Sequence, residues 1–345
     1  MVGRELVDRH NAEVVGSSPT LATNMTVPTI FKCALLGTSA LLASVALAAG
    51  KEPLTITVAG QQRDFILVTP DSMPAGARPL VLVLHGHIGT AANALGAGIV
   101  PSPLAAWLDI VDREKILVAA LQGLKGADNR TGWRDCRSDD ANNPHADDVA
   151  FAMAVVQGLI AAGRADRKRI YVMGMSNGAM MSHRLALEMH PAPAAIAAAS
   201  GTMALHSDCS GAPRPVSVLI IHGTDDPVVP YAGGGVGMGF RRTSFVLGAE
   251  ATRDFWLRVD GLQAALPVTY AYPHTGSDET RAERATYGSD AGPQVELLTI
   301  RHGGHVEPSV RYHYGPFYGG IVGAQNHDLE SAEEAWRFFA GKVSP

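Results

Sequence analysis

The sequence predicts an α/β fold, with a mostly parallel central sheet, helices on both of its faces and a single domain. Short apolar runs rich in β-branched residues alternate with helix-length segments, and this alternation is typical of parallel strands joined by helices. The composition is that of a globular protein, with 46% hydrophobic and 18% charged residues. No internal repeat and no Pro- or Ser-rich linker divides the chain, so one folded domain is expected.

Nine runs are predicted to be strands. The first two have the pattern of an antiparallel hairpin around Gly60, and the later ones are separated by segments long enough for helices. In chain order, the runs are Leu54–Val58, Asp64–Val68, Leu80–Leu84, Ile116–Ala120, Arg169–Met173, Ala195–Ser200, Val216–Ile221, Val268–Tyr272 and Val295–Ile300.

Three segments have clear helical patterns. They are Asp147–Gly163, which opens with a capping Asp, Gly178–Met189 and Ser331–Phe339. In open parallel sheets, functional residues gather beyond the carboxyl ends of the strands. The loops that follow the predicted strands are therefore where candidate functional residues are sought.

The beginning of the chain has the pattern of a secretory signal. An uncharged apolar run covers residues 34–49, Lys32 precedes it, and small residues end it. The run is shorter than the roughly 20 residues needed to span a bilayer. Cleavage is expected near Ala48, and an uncleaved anchor is the alternative.

The signal itself is expected to begin at Met25, whose segment has the form of a natural start. A signal normally starts within a few residues of the initiator. Residues 1–24 are therefore predicted to be a non-native extension, residues 25–48 the signal peptide, and residues 49–345 the folded domain, secreted or periplasmic.

The charge pattern excludes two classes of partner. The chain has 28 Lys and Arg residues against 33 Asp and Glu residues, a net charge of −5, with no basic run. Nucleic-acid binding and a lasting association with an anionic membrane both need such a run. Neither partner is expected.

The cysteines point to a disulfide and not to a metal. The spacing of Cys33, Cys136 and Cys209 matches no zinc site. Cys33 lies in the predicted signal peptide, so Cys136 and Cys209 remain in the mature chain. A pair of cysteines in an exported protein is typical of a disulfide.

A candidate nucleophile, Ser176, follows the predicted strand Arg169–Met173. It is the centre of Gly174-Met175-Ser176-Asn177-Gly178, directly before a predicted helix. A serine at a tight strand-to-helix turn needs small neighbours two residues away on each side, and the two glycines supply them. The alternative is a glycine-rich turn without chemistry.

A serine hydroxyl needs a base, and the base needs an acid to orient it. In this architecture the order along the chain is Ser, acid, His. Asp226 follows the strand Val216–Ile221 and is the predicted acid, with Asp225 as its rival. A solvated turn carboxylate is the alternative for both.

The predicted base is His305, after the strand Val295–Ile300 and two glycines. His302 is the less favoured base, because it precedes the glycines. A metal site formed by His302 and His305 is a further alternative, but no third ligand is spaced nearby, and neither a metal nor a cofactor is expected.

An acyl-transfer enzyme also needs N–H donors for the oxyanion. One is expected after the strand Leu80–Leu84, at His87, and the other at Asn177, the residue after the serine. The candidate residues occur in the required order at the ends of four strands, which makes the combination more specific than any one motif.

The motifs together resemble a known family, the secreted α/β-hydrolase esterases of the polyhydroxybutyrate depolymerase and feruloyl esterase type. The resemblance covers nearly the whole mature chain and is specific in its combination. It is carried by LVLHGHIG (82–89), GWRDCR (132–137), DDVAF (147–151), GMSNGAMMSHRLA (174–186), HGTDDPVVPYAGG (222–234), GGHVEP (303–308) and QNHDLESAEEAWRFF (325–339).

The resemblance implies an α/β-hydrolase fold and a Ser176–Asp226–His305 triad that hydrolyses carboxylic esters, and it supports the Cys136–Cys209 pairing. Feruloyl-type members tend to carry an aromatic residue after the catalytic histidine, where this chain has Val306. Polyhydroxyalkanoate-type oligomers or related small esters are therefore the expected substrates. A feruloyl or other aryl or polyester esterase is the alternative.

Other expectations concern the walls of the site and competing activities. Trp133, Tyr312 and Tyr314 are candidate substrate-binding residues, and packing of a long loop is the alternative for them. The glycine-rich segment Gly233–Gly239 is expected to be a mobile loop beside the acid. A serine peptidase of the same fold and a non-enzymatic binding scaffold are the less favoured functions.

Overall fold

The computed structural model describes residues 50–98, 102–238, 242 and 244–344. The predicted N-terminal extension and signal peptide lie outside the described residues. The boundaries of the predicted domain therefore stay predictions.

A ten-stranded sheet forms the centre of the described residues, in the order β1-β2-β4-β3-β7-β8-β9-β14-β13-β12. In this order, every two neighbouring strands from β4 through β14 are parallel. The outer pairs, β1-β2 and β2-β4 at one end and β14-β13 and β13-β12 at the other, are antiparallel. The strands of this sheet are β1 Gly50–Val58, β2 Gln61–Thr69, β3 Arg78–Leu84, β4 Leu117–Leu121, β7 Ala165–Met175, β8 Ala195–Ala199, β9 Ser217–Gly223, β12 Val268–Ala271, β13 Arg281–Gly288 and β14 Gln294–Arg301.

Two short antiparallel pairs lie outside the large sheet. One joins β5 Leu124–Lys125 to β6 Thr131–Gly132, and the other joins β10 Gly233–Val236 to β11 Ser244–Leu247. The expectation of a mobile loop at Gly233–Gly239 was therefore wrong for its first four residues. Their backbone pairs with β11, an arrangement that the glycine content alone does not reveal.

Helices cover both faces of the sheet, as the sequence predicts. The helices α3, α4 and α5 pack on one face, around Phe151, Leu185 and Trp256, while α1, α2 and α7 pack on the other face, around Trp107 and Phe339. The helices are α1 Ala91–Ala94, a 3₁₀ turn Pro103–Ala106, α2 Trp107–Glu114, α3 Asp148–Ala161, α4 Asn177–Glu188, α5 Ala249–Val259, α6 Pro316–Val322 and α7 Ser331–Phe339.

The predicted helix starts and strand runs agree closely with these bounds. Asp147 caps α3, because its carboxylate accepts the N–H of Ala150 at 2.9 Å. All nine predicted strands are present. In the part of the chain that the structure describes, no helix is long and apolar enough to cross a bilayer.

The parallel strands bring four loops to one edge of the sheet. β3, β7, β9 and β14 lie side by side or one strand apart, and their carboxyl ends meet at the same edge. The loops that begin at His85, Ser176, Thr224 and His302 therefore converge there.

Candidate active site

Ser176 lies at a strained turn between β7 and α4. Its φ of 54° and ψ of −121° are rare for a residue with a side chain. A Cβ added to Gly174 would lie 2.1 Å from the carbonyl oxygen of Gly178, and one added to Gly178 would lie 2.4 Å from that of Leu84. Only glycines fit these two positions, as the sequence pattern predicts.

The Ser176 hydroxyl is hydrogen-bonded to His305. The distance from Ser176 Oγ to His305 Nε2 is 2.9 Å, and His305 Nδ1 lies 2.8 Å from Asp226 Oδ2. The side chains of His305 and Asp226 are both buried. The three side chains predicted as nucleophile, base and acid therefore form one continuous chain of hydrogen bonds.

The Asp226 carboxylate is held as an anion by its surroundings. Its Oδ1 accepts the backbone N–H groups of Val228 and Val229, each at 2.8 Å, and His222 Nε2 lies 3.4 Å from Oδ2. Burial alone would raise the pKa of Asp226, but the charge of His305 and the hydrogen bonds outweigh burial and keep the pKa well below its usual range. Asp226 can therefore keep the proton of His305 on Nδ1, which leaves Nε2 free to accept the serine proton.

The two rival residues form a separate pair. His302 Nδ1 lies 3.3 Å from Asp225 Oδ2, and both side chains are more than half exposed. Neither bonds to Ser176. The structure therefore brings Asp226 and His305, and not their sequence neighbours, to the serine.

Among the described residues, two with unbonded backbone N–H groups line the cavity at Ser176, one in the loop after β3 and one at the start of α4. Gly86 passes close to the turn between β7 and α4, because a Cβ added to it would lie 3.4 Å from Ser176 Cβ. Within the described residues, the N–H groups of His87 and Asn177 have no hydrogen-bond acceptor, and both residues line the cavity at Ser176. These are the donors that the sequence predicts for an oxyanion.

The neighbouring His85 is a structural residue. Its ring is buried, and its Nε2 accepts the N–H of Gly123 at 3.0 Å. Burial lowers the pKa of His85 to about 4. The imidazole is therefore neutral at physiological pH and fixes the loop after β3.

A cavity of about 850 Å³ opens at Ser176. Its lining combines apolar and polar side chains, so the cavity can take a substrate that has both apolar and polar parts. The apolar side chains are those of Met180, Val228 and Val236, and the polar ones, which form its polar wall, include Asp128, Arg130, Asp140, Asn142 and Asn143.

Trp133, Tyr312 and Tyr314 do not line this cavity. Trp133 is 1% exposed and donates its indole N–H to the carbonyl oxygen of His85. Tyr312 packs against the cluster around Trp107, and Tyr314 donates to Glu307 Oε2 at 3.4 Å. The structure therefore places all three where aromatic rings pack the loops together, which was the alternative reading of these residues.

The polar wall was not recognised from the sequence. It comes from the segment between Asp128 and Asn143, whose Asp and Asn residues at 139–143 were the available signal. Asp and Asn occur in most loops, so their presence alone does not distinguish a cavity wall from a solvated turn.

A disulfide joins Cys136 to Cys209. It ties the loop after β6 to the segment after β8, where the Ser138 N–H also donates to the carbonyl oxygen of His206 at 2.9 Å. The loop that forms the polar wall is therefore fixed covalently beside the cavity.

The arrangement has the parts needed for acyl transfer. A hydroxyl nucleophile, a base that an anion orients and two N–H donors lie around one cavity. These are general requirements for hydrolysing an ester or amide through a covalent intermediate, so the comparison with other proteins decides between these classes.

A family model described as phospholipase/carboxylesterase matches residues 121–240. Among solved structures, an acetyl xylan esterase from Aspergillus awamori has a TM-score of 0.51 at 16% identity, covering 84% of this chain and 99% of that one. A likeness at this identity shows the α/β-hydrolase fold.

Several curated relatives are named as esterases. The protein NocK of Nocardia uniformis, named an esterase, is 29% identical over 83% of this chain and 81% of its own length. Feruloyl esterase C of Emericella nidulans is 30% identical over 54% of this chain and 63% of its own length. A protein of Aspergillus clavatus named probable feruloyl esterase C is 32% identical over 60% of this chain and 73% of its own length. The chain therefore belongs to the esterase family of the α/β-hydrolases that contains these proteins.

Proposed function

We propose that this esterase is a serine carboxylesterase that works through an acyl-enzyme, with Ser176 as nucleophile, His305 as base and Asp226 as acid. The observation that carries the proposal is the hydrogen-bond chain from Ser176 Oγ to His305 and Asp226, at 2.9 and 2.8 Å. It ends at a serine in the strained turn typical of such nucleophiles.

In the first half of the reaction, His305 Nε2 takes the hydroxyl proton as Ser176 Oγ attacks the ester carbonyl carbon. The carbonyl oxygen becomes an oxyanion, which the N–H groups of His87 and Asn177 bind. His305 then gives its proton to the leaving alcohol. The acyl group remains on Ser176 as an ester.

In the second half, His305 takes a proton from water, and the resulting nucleophile attacks the acyl carbon. The oxyanion forms again and collapses, and His305 returns the proton to Ser176 Oγ. A carboxylic acid leaves. Asp226 keeps its charge throughout and stabilises the imidazolium that forms twice.

The proposed substrates are 3-hydroxyalkanoate oligomers or related small esters, the class that the sequence resemblance implies. Feruloyl and other aryl esters are the second candidate, because two of the relatives above bear that name. The cavity is lined by both apolar and polar side chains, which fits a substrate with unlike acyl and alcohol parts in either class.

The test is ester hydrolysis by wild type and Ser176→Ala, measured side by side. The panel runs from p-nitrophenyl acetate to octanoate, with methyl ferulate and 3-hydroxybutyrate oligomers. We expect Ser176→Ala to fold and to lose at least about 10⁴-fold in kcat. Retained activity in folded Ser176→Ala contradicts the serine mechanism, and the ranking of kcat/KM among the esters decides between the two substrate classes.

We also propose that the protein is exported from the cytoplasm. The chain matures by cleavage near Ala48, and the Cys136–Cys209 bond then forms in the periplasm or the medium, where disulfides are stable. The N-terminal sequence of the protein recovered outside the cytoplasm tests this. A chain that starts near Ala49 supports it, and one that still carries residues 25–48 contradicts it.

A further inference from the structure

The segment Thr131–Asp135 lies between the two loops that supply the proposed oxyanion donors. On one side, Thr131 accepts the N–H of Ile88 at 2.8 Å, and the indole N–H of Trp133 donates to the carbonyl oxygen of His85 at 2.8 Å. These two bonds fix the residues on either side of His87. The segment therefore holds the first donor in place.

On its other side, the same segment holds the side chain of Asn177. The N–H of Trp133 donates to Asn177 Oδ1 at 2.6 Å, and Asn177 Nδ2 donates to the carbonyl oxygen of Trp133 at 3.0 Å. The same Nδ2 donates to Asp135 Oδ2 at 2.7 Å. Each hydrogen of Nδ2 therefore has an acceptor, and Asn177 is 5% exposed.

Asp135 is a fully buried charge that the proposed mechanism does not use. Its side chain has no exposed surface, and the guanidinium of Arg137 contacts both of its oxygens, with Nε to Oδ1 at 3.0 Å and Nη2 to Oδ2 at 2.7 Å. Asn143 Nδ2 lies 3.2 Å from Oδ1. Burial opposes the charge of Arg137, but Asp135 and its acidic neighbours outweigh burial and raise the pKa of Arg137.

We propose that Asp135 is a positioning residue for the oxyanion hole, which fixes the direction of the Asn177 backbone N–H by binding the Asn177 side chain. This inference rests on the proposed function, since it assumes that the Asn177 N–H binds the oxyanion. A hydrogen bond to a carboxylate is about twice as strong as one between neutral groups, so the buried anion restrains Asn177 more firmly than a neutral acceptor would.

The expected effect belongs to the transition state. An oxyanion donor acts at about 2.7–3.1 Å from the developing charge, and losing one donor altogether costs roughly 10²–10³-fold in kcat. A donor that is only released from its anchor should cost less, on the order of 10–10²-fold. The ground-state ester needs no such alignment, so KM should stay within about threefold.

The experiment compares Asp135→Asn, Asn177→Ala and the double variant with wild type on p-nitrophenyl butyrate. Asn177→Ala keeps the backbone N–H and leaves Asp135 paired with Arg137, so it remains informative if Asp135→Asn does not fold. We expect kcat to fall about 10–10²-fold in each single variant. The double variant should fall no further than Asn177→Ala, because the bond that Asp135→Asn weakens is one of the three that Asn177→Ala removes. The Ki of a trifluoromethyl ketone, which mimics the tetrahedral intermediate, should rise in step with the fall in kcat/KM.

Ser138→Ala is the matched control. It removes a hydrogen bond of the same loop, from Ser138 Oγ to the carbonyl oxygen of His206 at 3.0 Å, without touching Asn177. It should keep the wild-type kcat and Ki. Wild-type kcat in folded Asn177→Ala, or fully additive losses in the double variant, overturns the inference. Ser176→Ala in the same assay separates the two claims, because activity retained there would instead overturn the serine mechanism.

Discussion

Asp225 and Asp226 are adjacent in sequence but lie in opposite surroundings. Asp226 is buried and accepts two backbone N–H groups as well as His305. Asp225 is exposed and contacts His302 at 3.3 Å. Since a buried, oriented carboxylate stabilises an imidazolium more than a solvated one does, only Asp226 is placed to act on His305.

This difference predicts the behaviour of two variants. Asp226→Asn should lower kcat by about 10⁴-fold, because the amide favours the wrong tautomer of His305. Asp225→Asn should remain within about twofold of wild type. Steady-state kinetics of both purified variants check this. Full activity in Asp226→Asn together with a loss in Asp225→Asn would reverse the assignment.

Glu307, two residues after His305, is a buried carboxyl without a cationic partner among the described residues. It is 1% exposed, and the hydroxyl of Tyr314 is its side-chain hydrogen-bond donor, at 3.4 Å. Burial raises the pKa of Glu307 to about 7. The folded protein therefore keeps a proton that the unfolded chain releases at lower pH.

The raised pKa predicts how stability depends on pH. Below pH 4.5 Glu307 is protonated in both states, and between pH 4.5 and 7 only the folded state holds the proton, so the stability of wild type falls as the pH rises. Relative to Glu307→Gln, wild type should lose roughly 3 kcal/mol between pH 4.5 and pH 8. Urea denaturation at both pH values measures this.

Glu279→Gln is the control for that measurement, because Glu279 is exposed. Its stability relative to wild type should be the same at both pH values. A stability difference between wild type and Glu307→Gln that does not change with pH would contradict the prediction.

At the scale of the elements, the turn from β7 to α4 depends on backbone packing. Gly178 lies against the end of β3, where an added Cβ would meet the carbonyl oxygens of Leu84 and His85 at 2.4 and 2.6 Å. Backbone atoms of a central strand cannot move away without breaking the sheet. The close approach of α4 to β3 is therefore what places Ser176 over the edge of the sheet.

Gly178→Ala is accordingly expected to destabilise the protein by about 3 kcal/mol, the upper end of what overpacking of a rigid site costs. Gly158→Ala is the matched control, because Gly158 lies inside α3 with no atom within 4 Å of an added Cβ. It should stabilise by about 0.5–1 kcal/mol, since alanine favours a helix. Thermal and urea denaturation measure whether Gly178→Ala lowers the free energy of unfolding while Gly158→Ala raises it.

At the scale of the whole molecule, the Cys136–Cys209 bond restricts the unfolded chain. The two residues are 73 apart in sequence, and the segment between them includes α3, β7, α4 and β8. In the folded state the bond also anchors the loop that carries Asp135. One covalent link therefore supports both the stability of the domain and the wall of its cavity.

The variant Cys136→Ser/Cys209→Ser should be less stable than wild type by roughly 2–4 kcal/mol, because its unfolded chain regains conformational entropy. Denaturation with and without a reducing agent measures this. Reduction should lower the stability of wild type to that of the variant and leave the variant unchanged. Equal stability of the oxidised wild type and the variant would contradict the prediction.

The apolar runs of the strands and the turn at Ser176 can be recognised in the sequence, because both have local signals. A buried parallel strand needs a short apolar run, and the turn at Ser176 needs glycines two residues away. β13 was missed because its residues, RAERATYG, are mostly polar and its side chains are largely half-exposed. β10 was missed because three of its four residues are glycines, which carry no strand signal, and β11 because it is only four residues long.

The sequence by itself determined the fold class, the order of serine, acid and histidine along the chain, and the cysteine pair, because each depends on residue type and local spacing. Only the tertiary structure decided which of two adjacent acids and two nearby histidines meets Ser176, that Trp133 packs beneath the site, and that Asp135 binds Asn177. Ser176 and His305 are 129 residues apart, and Asp135 and Asn177 are 42 apart. Contacts of this kind depend on how loops from separate strands pack against one another, and no local pattern encodes that packing.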